Sequence, residues 1–409
     1  MTLSAKWRWG RLADVLTPNK RPYTLGATED ADLIGVRWYG DGPFHRERKE
    51  ALAIQKKDHF VMREGDVVYN KLFAWKGAFG VIPKALDGMH ASDKFPTYAL
   101  DRSRIAEDFL SWYFRVPALW EEAKIRSKGS AAISKLTLNP PDFLELPVPL
   151  PDMDVQQALA ARLNEVRASV ATAERIVADI ERWLAAVVVA AVDEEVGRLA
   201  FDGTLAESLQ GKPRNGWSPV CDNMDGGVAV LALGAVTGFA YRPDEVKRTS
   251  EATTPDAHYW LRAGDLLITR SNTPELVGHA AIYNGTPSPC IYPDLMMKVP
   301  VNEACASARF VHWLLQASST RAFIRKNATG TSPTMKKISQ GTVMNIPFPK
   351  SVSFEEQARI VDKLDRVRAD CERALAAART TRDLLRALLA RAVVEAFGVA
   401  GRARILATD

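Results

Sequence analysis

At 409 residues the chain is longer than one hydrophobic core usually serves, so more than one domain is expected. With 47% hydrophobic and 25% charged residues it has the composition of an ordinary globular protein, which excludes a disordered, fibrous or membrane-embedded chain. A net charge of +5 permits an acidic partner without demanding one.

In chain order, Met1 to Gly10 contain no apolar core of a secretory leader. The longest apolar run, Ala185 to Val192, is far too short to cross a bilayer, so a cytoplasmic location is expected. Lys6, Arg8, Arg11, Lys20 and Arg21, interleaved with Trp7 and Trp9, read as a basic N-terminal arm. Gly65-Asp66 then leads into the apolar strand Val67-Val68-Tyr69, and 199 residues later Gly264-Asp265 leads into Leu266-Leu267-Ile268. From Gly77 and Gly278 onward the offset is 201, pairing Phe109 with Phe310, Trp112 with Trp313, Lys124 with Arg325, Gly129 with Gly330, Ser130 with Thr331 and Lys135 with Lys336. Chance does not hold one offset through a strand, a helix, a loop and a second helix. The chain is an internal repeat of two equivalent units.

Each unit closes on a long amphipathic helix. Leu163, Val166, Val170, Ala173, Val177, Ile180, Leu184, Val187 and Ala191 step by three and four, as the seam of a coiled coil does. In the same phase, 201 residues on, come Leu364, Val367, Cys371, Ala374, Ala378, Thr381, Leu385, Leu388 and Ala392. Asp152 or Asp154 before the first helix, and Ser353 followed by Glu355 and Glu356 before the second, suit N-terminal caps. Gly197 and Gly398 stand at matching stops. About 40 residues at 1.5 Å rise give each helix a span of roughly 60 Å. The expected fold is therefore two α/β (α+β) domains in tandem, each followed by a long α-helix, with the helices pairing as an antiparallel coiled coil. The boundaries are residues 1–150 and 201–351 for the domains, 151–200 and 352–398 for the helices, and 399–409 for a tail. Cys221, Cys290, Cys305 and Cys371 show no CxxC spacing and no accompanying histidine pattern, so buried or incidental thiols are expected rather than a zinc site or disulfide.

Two loops per unit suggest a ligand. Lys124, Arg126, Lys128 and Lys135 surround Gly129-Ser130, and Arg321, Arg325, Lys326, Lys336 and Lys337 surround Gly330-Thr331. Small residues let backbone N–H groups approach a phosphate while Lys and Arg neutralise it. One such loop is equally a solvated surface loop; its recurrence in both units favours a nucleic-acid contact. The second loop follows the Gly-Asp strand: Asn70 to Lys76, with Lys71, Trp75 and Lys76, and Thr269 to Glu275, with Arg270, Ser271 and Asn272. Arg and Asn are side chains that make paired hydrogen bonds to guanine and adenine edges. These loops differ between units where the scaffold agrees, as expected if each reads a different sequence.

Catalytic motifs are weak by comparison. Asn139-Pro140-Pro141-Asp142 has an aspartate where an amino-methyltransferase motif needs an aromatic residue, and no glycine-rich cofactor loop accompanies it. Pro293-Asp294 with Lys298 lacks the acidic residue of a metal-dependent nuclease, and Asp294 reads as a turn residue. The six histidines form no metal or triad pattern. His312 reads as structural, and Trp112 and Trp313 as core anchors.

Two globular units each followed by a long helix, Gly-Asp strand starts, Leu146-Pro147-Val148-Pro149-Leu150-Pro151 entering a helix with Gln156, Ile346-Pro347 leading to Glu355-Glu356-Gln357, and Gly211 to Ser218 opening the second unit together resemble the DNA-specificity subunit of type I restriction-modification systems. The resemblance covers nearly the whole chain. It implies a non-catalytic subunit whose two target recognition domains each read half of a bipartite site in double-stranded DNA, with the helices acting as a spacer that fixes the gap. It further implies modification (methyltransferase) subunits docked on the helices, with a restriction subunit as a further partner. The chain itself would need no cofactor; S-adenosylmethionine, ATP and Mg would belong to the partners. The same architecture also suits a coiled-coil scaffold with protein-binding heads, a duplicated-domain DNA methyltransferase, or a phage-defence system of another type.

Overall fold

The computed structural model describes residues 7–54, 58–129, 136–251, 253–330 and 335–405. Its helices are α1 Glu107–Tyr113, α2 Pro117–Arg126, α3 Pro140–Leu144, α4 Met153–Val196, α5 Ala308–Leu314, α6 Ser318–Lys326, α7 Gln340–Met344 and α8 Phe354–Ile405. Two compact units emerge. Met1–Ile176 with Arg379–Asp409 form the first, and Val177–Ala378 form the second, so each contains one globular portion and one stretch of each long helix.

In the first unit an antiparallel sheet places its strands in the order Leu16–Pro18, Thr97–Leu100, Val67–Tyr69, Phe79–Val81. The second unit repeats that order with Arg214–Asn215, Met296–Val299, Leu266–Leu267–Ile268–Thr269 and Ala280–Ile282. Continuous apolar runs after the Gly-Asp turns reflect burial on both faces of these sheets. Val67 and Tyr69 join one hydrophobic core and Val68 another, just as Leu266 and Ile268 face one core and Leu267 a second. A further sheet differs between the units. It has five strands in the first, ending in the hairpin Ala31–Arg37 and Gly42–Lys49, and three in the second. Gly216 shows why the segment opening the second unit is glycine-rich: a Cβ there would meet the Tyr292 carbonyl oxygen at 2.0 Å.

The globular portions are tied to the long helices by the same contacts twice. Gln156, only 1% exposed, donates to the carbonyls of Arg104 (3.0 Å) and Pro151 (2.8 Å) and accepts from the Ala106 N–H (2.8 Å). Gln357, equally buried, donates to Cys305 and Val352 and accepts from Ser307 N–H. Trp112 fills the first core while its indole N–H reaches Asn164 at 3.0 Å, and Trp313 does the same with Asp365 at 2.9 Å. Both tryptophans are thus core anchors with a polar edge satisfied by the helix.

Along α4, the seam residues Leu163, Val170, Val177 and Leu184 are buried, and Val166 and Ile180 half-buried. On α8, Leu364 is buried and Val367 and Leu385 half-buried. Within the first unit Arg386 of α8 pairs with Glu174 of α4; within the second, Arg359 and Lys363 of α8 converge on the fully buried carboxylate of Glu195 on α4. Ser353 caps α8, its hydroxyl accepting from Glu356 N–H at 3.2 Å.

Three expectations are corrected. Leu388 is 53% exposed, and Leu389 packs against the first core instead; with Leu384, Leu385, Leu388 and Leu389 on adjoining faces, heptad spacing alone leaves two apolar stripes. α4 stops at Val196 beside Gly197, but α8 runs through Gly398 and Gly401 to Ile405, because each glycine costs a helix only about 1 kcal/mol. The N-terminal basic segment is not a free arm. Arg8–Arg11 pairs with Pro147–Leu150, Trp7 packs on Phe109 and Phe397, and Arg21 is bound to Asp66, while Lys6 lies outside the described residues.

Candidate nucleic-acid interface

The two loops singled out in each unit, some sixty residues apart in sequence, come together at one end of the corresponding sheet. In the first unit Leu138 N–H donates to the Lys71 carbonyl at 3.0 Å, and Lys128 and Thr137 exchange backbone hydrogen bonds. In the second, Ile338 N–H donates to the Arg270 carbonyl at 2.9 Å, Thr329 and Lys337 exchange the same pair, and Ser271-Asn272 run antiparallel to Lys336-Lys337. Equivalent positions make equivalent bonds, although the side chains differ.

Cations dominate what these loops present. Lys76 lies 3.6 Å above the Trp38 ring and 4.9 Å from that of Trp75, and no carboxylate pairs with it among the described residues. Trp75 is itself anchored by its indole N–H to the Leu72 carbonyl at 3.2 Å. Lys71 is half-buried, Arg325 and Lys337 are exposed, and Lys336 folds back to the Gly330 carbonyl at 2.8 Å. Arg270 reaches Asp294 O, and Asn272 accepts from Thr273 N–H. Lys128 approaches Asp142 at 3.6 Å yet stays largely exposed, and Lys124 approaches Glu121 at 3.5 Å with less than half of its side chain exposed. Gly129 is described; Ser130, Lys135 and Thr331 lie outside the described residues.

Two sequence-predicted contacts move inward. Ser271 is 2% exposed, its hydroxyl buried, because strand alternation turns it into the protein as it turns Asn272 out. Arg321 is 7% exposed and donates to the Glu275 and Val277 carbonyls, so it supports the loop rather than facing solvent. Burial and the neighbouring Arg325 charge depress its guanidinium to about 10.

Sequence reasoning missed a buttress under each loop. Gly77 and Gly278 end the loops with φ of 71° and 76°, in the left-handed region. Trp120 of α2 sits against Gly77, where a Cβ would lie 2.3 Å from its indole nitrogen, and Arg321, the equivalent position of α6, sits 3.0 Å from a Cβ at Gly278. A left-handed aromatic residue then packs on each support: Tyr39 tilted against Trp120, with centroids 5.3 Å apart, and Phe239 beneath Arg321 at 5.5 Å. The only early signal was the matched pair of glycines.

Motifs weighed for catalysis turn out to be structural. Asn139-Pro140-Pro141 opens α3, and Phe143 is buried, stacked 4.0 Å from Tyr69. Asp294 holds a turn with Ser218, and Lys298 binds Asp265 at 3.0 Å. His312 is buried beside the Ala280 carbonyl at 3.2 Å; burial and the Arg368 charge lower it to about 4. Among the described residues no group of three or more His, Cys, Asp or Glu side chains could hold a metal, and no helix is long and apolar enough to cross a membrane. The cysteines are all free thiols.

Comparison with known proteins agrees with this architecture. A chain from a structure titled for complex assembly and conformational transition of the type I R-M system superposes with a TM-score of 0.66 at 18% identity, covering 97% of this chain and 99% of that one. The HsdS subunit of Thermoanaerobacter tengcongensis gives 0.52 at 17% identity, with 96% of each chain covered. The fold is that of a type I specificity subunit. In sequence, the specificity subunit of the Escherichia coli type I restriction enzyme EcoEI is 26% identical over 155 residues, 36% of this chain, and the match spans about a quarter (26%) of that relative's length. No family model matches the chain. Within this specificity-subunit fold, the paired loops and their buttresses occur once per unit.

Proposed function

We propose that the chain is the non-catalytic DNA-specificity subunit of a type I restriction-modification complex. The observation that carries this reading is the repeated loop pair: one scaffold bond, Leu138 to Lys71 or Ile338 to Arg270, holds a cationic surface in each unit whose reading side chains differ. Each unit then recognises one half of a bipartite duplex site. Lys71, Trp75, Lys76, Lys124, Lys128 and Gly129, with Ser130 and Lys135, serve the first half. Arg270, Asn272, Arg325, Gly330, Lys336 and Lys337, with Thr331, serve the second.

The long helices are read as an antiparallel coiled coil that sets the gap and docks modification subunits. Ion pairs between α4 and α8 within each unit, Glu174 with Arg386 in the first and Glu195 with Arg359 and Lys363 in the second, support that pairing. A fixed spacer makes the second half-site contact intramolecular, at an effective concentration of about mM for matched geometry. S-adenosylmethionine enters with the modification subunits, and ATP and Mg with a restriction subunit. Assembled with modification subunits, the chain should select one bipartite motif of fixed gap from a random duplex pool. It should also lose affinity steeply as salt rises from 50 to 200 mM, as proteins making several phosphate contacts do. Selection of no motif, with salt-independent binding, would leave the protein-scaffold reading.

A further inference from the structure

The hairpin of the first unit ends beside the candidate loop, and its tip has been given no role. Tyr39 N–H donates to the Lys76 carbonyl at 2.7 Å and Gly40 N–H to the Gly77 carbonyl at 2.8 Å, so the tip and the loop form one surface. Tyr39 has φ of 61°, and its ring lies tilted against Trp120 with centroids 5.3 Å apart. That conformation leaves Trp38 40% exposed at the apex. Lys76 stands over its face, and Asp41, the acid at the tip, is already paired with Arg115 at 2.9 Å. In the second unit the left-handed aromatic is kept as Phe239, but the residue before it is Gly238. The support is shared by both units, whereas the exposed ring belongs to one.

Resting on the DNA reading above, we propose that Trp38 is a DNA-contacting residue of the first recognition unit, its ring packing against bases of that half-site while Lys76 meets the adjoining phosphate. Aromatic contacts with bases are sequence-tolerant in energy but shape-sensitive in a groove, and apolar side chains at a base step are a recurring device for fixing DNA geometry. An unpaired ammonium held over an indole suits an anionic duplex better than a protein surface of mixed charge.

The test uses the full chain assembled with modification subunits and the fluorescein-labelled duplex that the wild type selects from a random pool. Trp38→Ala should weaken binding about thirtyfold, the middle of the range for a lost aromatic contact, and relax selection in one half of the motif only. Trp38→Phe should restore most of the affinity. The slope of log affinity against log salt should stay at the wild-type value for Trp38→Ala and fall by about one for Lys76→Ala. A slope that falls in Trp38→Ala as it does in Lys76→Ala would overturn the proposal, because Trp38 would then act only by holding the lysine. Unchanged affinity and selection in Trp38→Ala, with the wild type binding normally, would overturn it too. Failure of the wild type to bind any duplex would instead overturn the DNA reading on which it rests.

Discussion

His312 carries a pH dependence that follows from its surroundings. Its imidazole is buried and held neutral, with its pKa lowered from 6.5 to about 4 by burial and Arg368. In the unfolded chain the same ring takes up a proton below about pH 6.5. Its contribution to stability is therefore complete above that pH and is lost as pH falls toward 4, amounting to roughly 3 kcal/mol at the lower end. Denaturant titrations at pH 7 and pH 4.5 should show a smaller drop for His312→Gln than for the wild type; equal drops would mean that the ring is hydrated or already charged. The sequence suggested a structural histidine from its neighbour Trp313, but not the carbonyl of Ala280 that receives it, which comes from a strand about thirty residues earlier. Ser271 and Arg321 mark the opposite limit. Their residue types suited DNA, and only strand alternation and the packing of α6 on the loop turned them inward.

Among the elements, the long helices were legible because a heptad pattern over dozens of residues has few alternative explanations. Which leucine of each adjoining pair faces the partner was not, since Leu388 and Leu389 differ by one position and both are apolar. The ion cluster at Glu195 was equally invisible, because it depends on which residues of α8 lie opposite. Burial opposes charging of this carboxyl, yet hydrogen bonds from Lys363 and Arg359 outweigh it and hold it below the usual carboxylate range. Glu195→Ala takes the buried acid from three partly exposed cations, Arg198, Arg359 and Lys363, so the second unit should lose about 2 kcal/mol, between the cost of breaking an exposed pair and that of breaking a fully buried one. Glu174→Ala, which breaks the exposed pair with Arg386, should cost no more than about 1 kcal/mol. Equal losses in thermal or denaturant melts would show the Glu195 cluster to be solvated. The buttresses under the loops belong to this scale as well: a left-handed glycine could be read, but not the side chain of α2 or α6 that closes on it.

For the whole molecule, the repeat was the strongest sequence signal, and the structure answers it with two sheets of the same strand order and the same helix ties. What the repeat could not reveal is its asymmetry: the exposed Trp38 in one unit, where the other has Gly238, and the buried Glu195 with its cations in the other. An architecture that keeps its scaffold and varies its loops suits a subunit that must recognise two different half-sites. Its most direct test is long-read sequencing of adenine methylation in the source organism, with this gene intact and deleted. The account predicts that deletion erases one bipartite motif of fixed internal gap and leaves all other methylation in place. A methylome that is active, contains such a motif and keeps it after deletion would contradict the assignment of specificity to this chain.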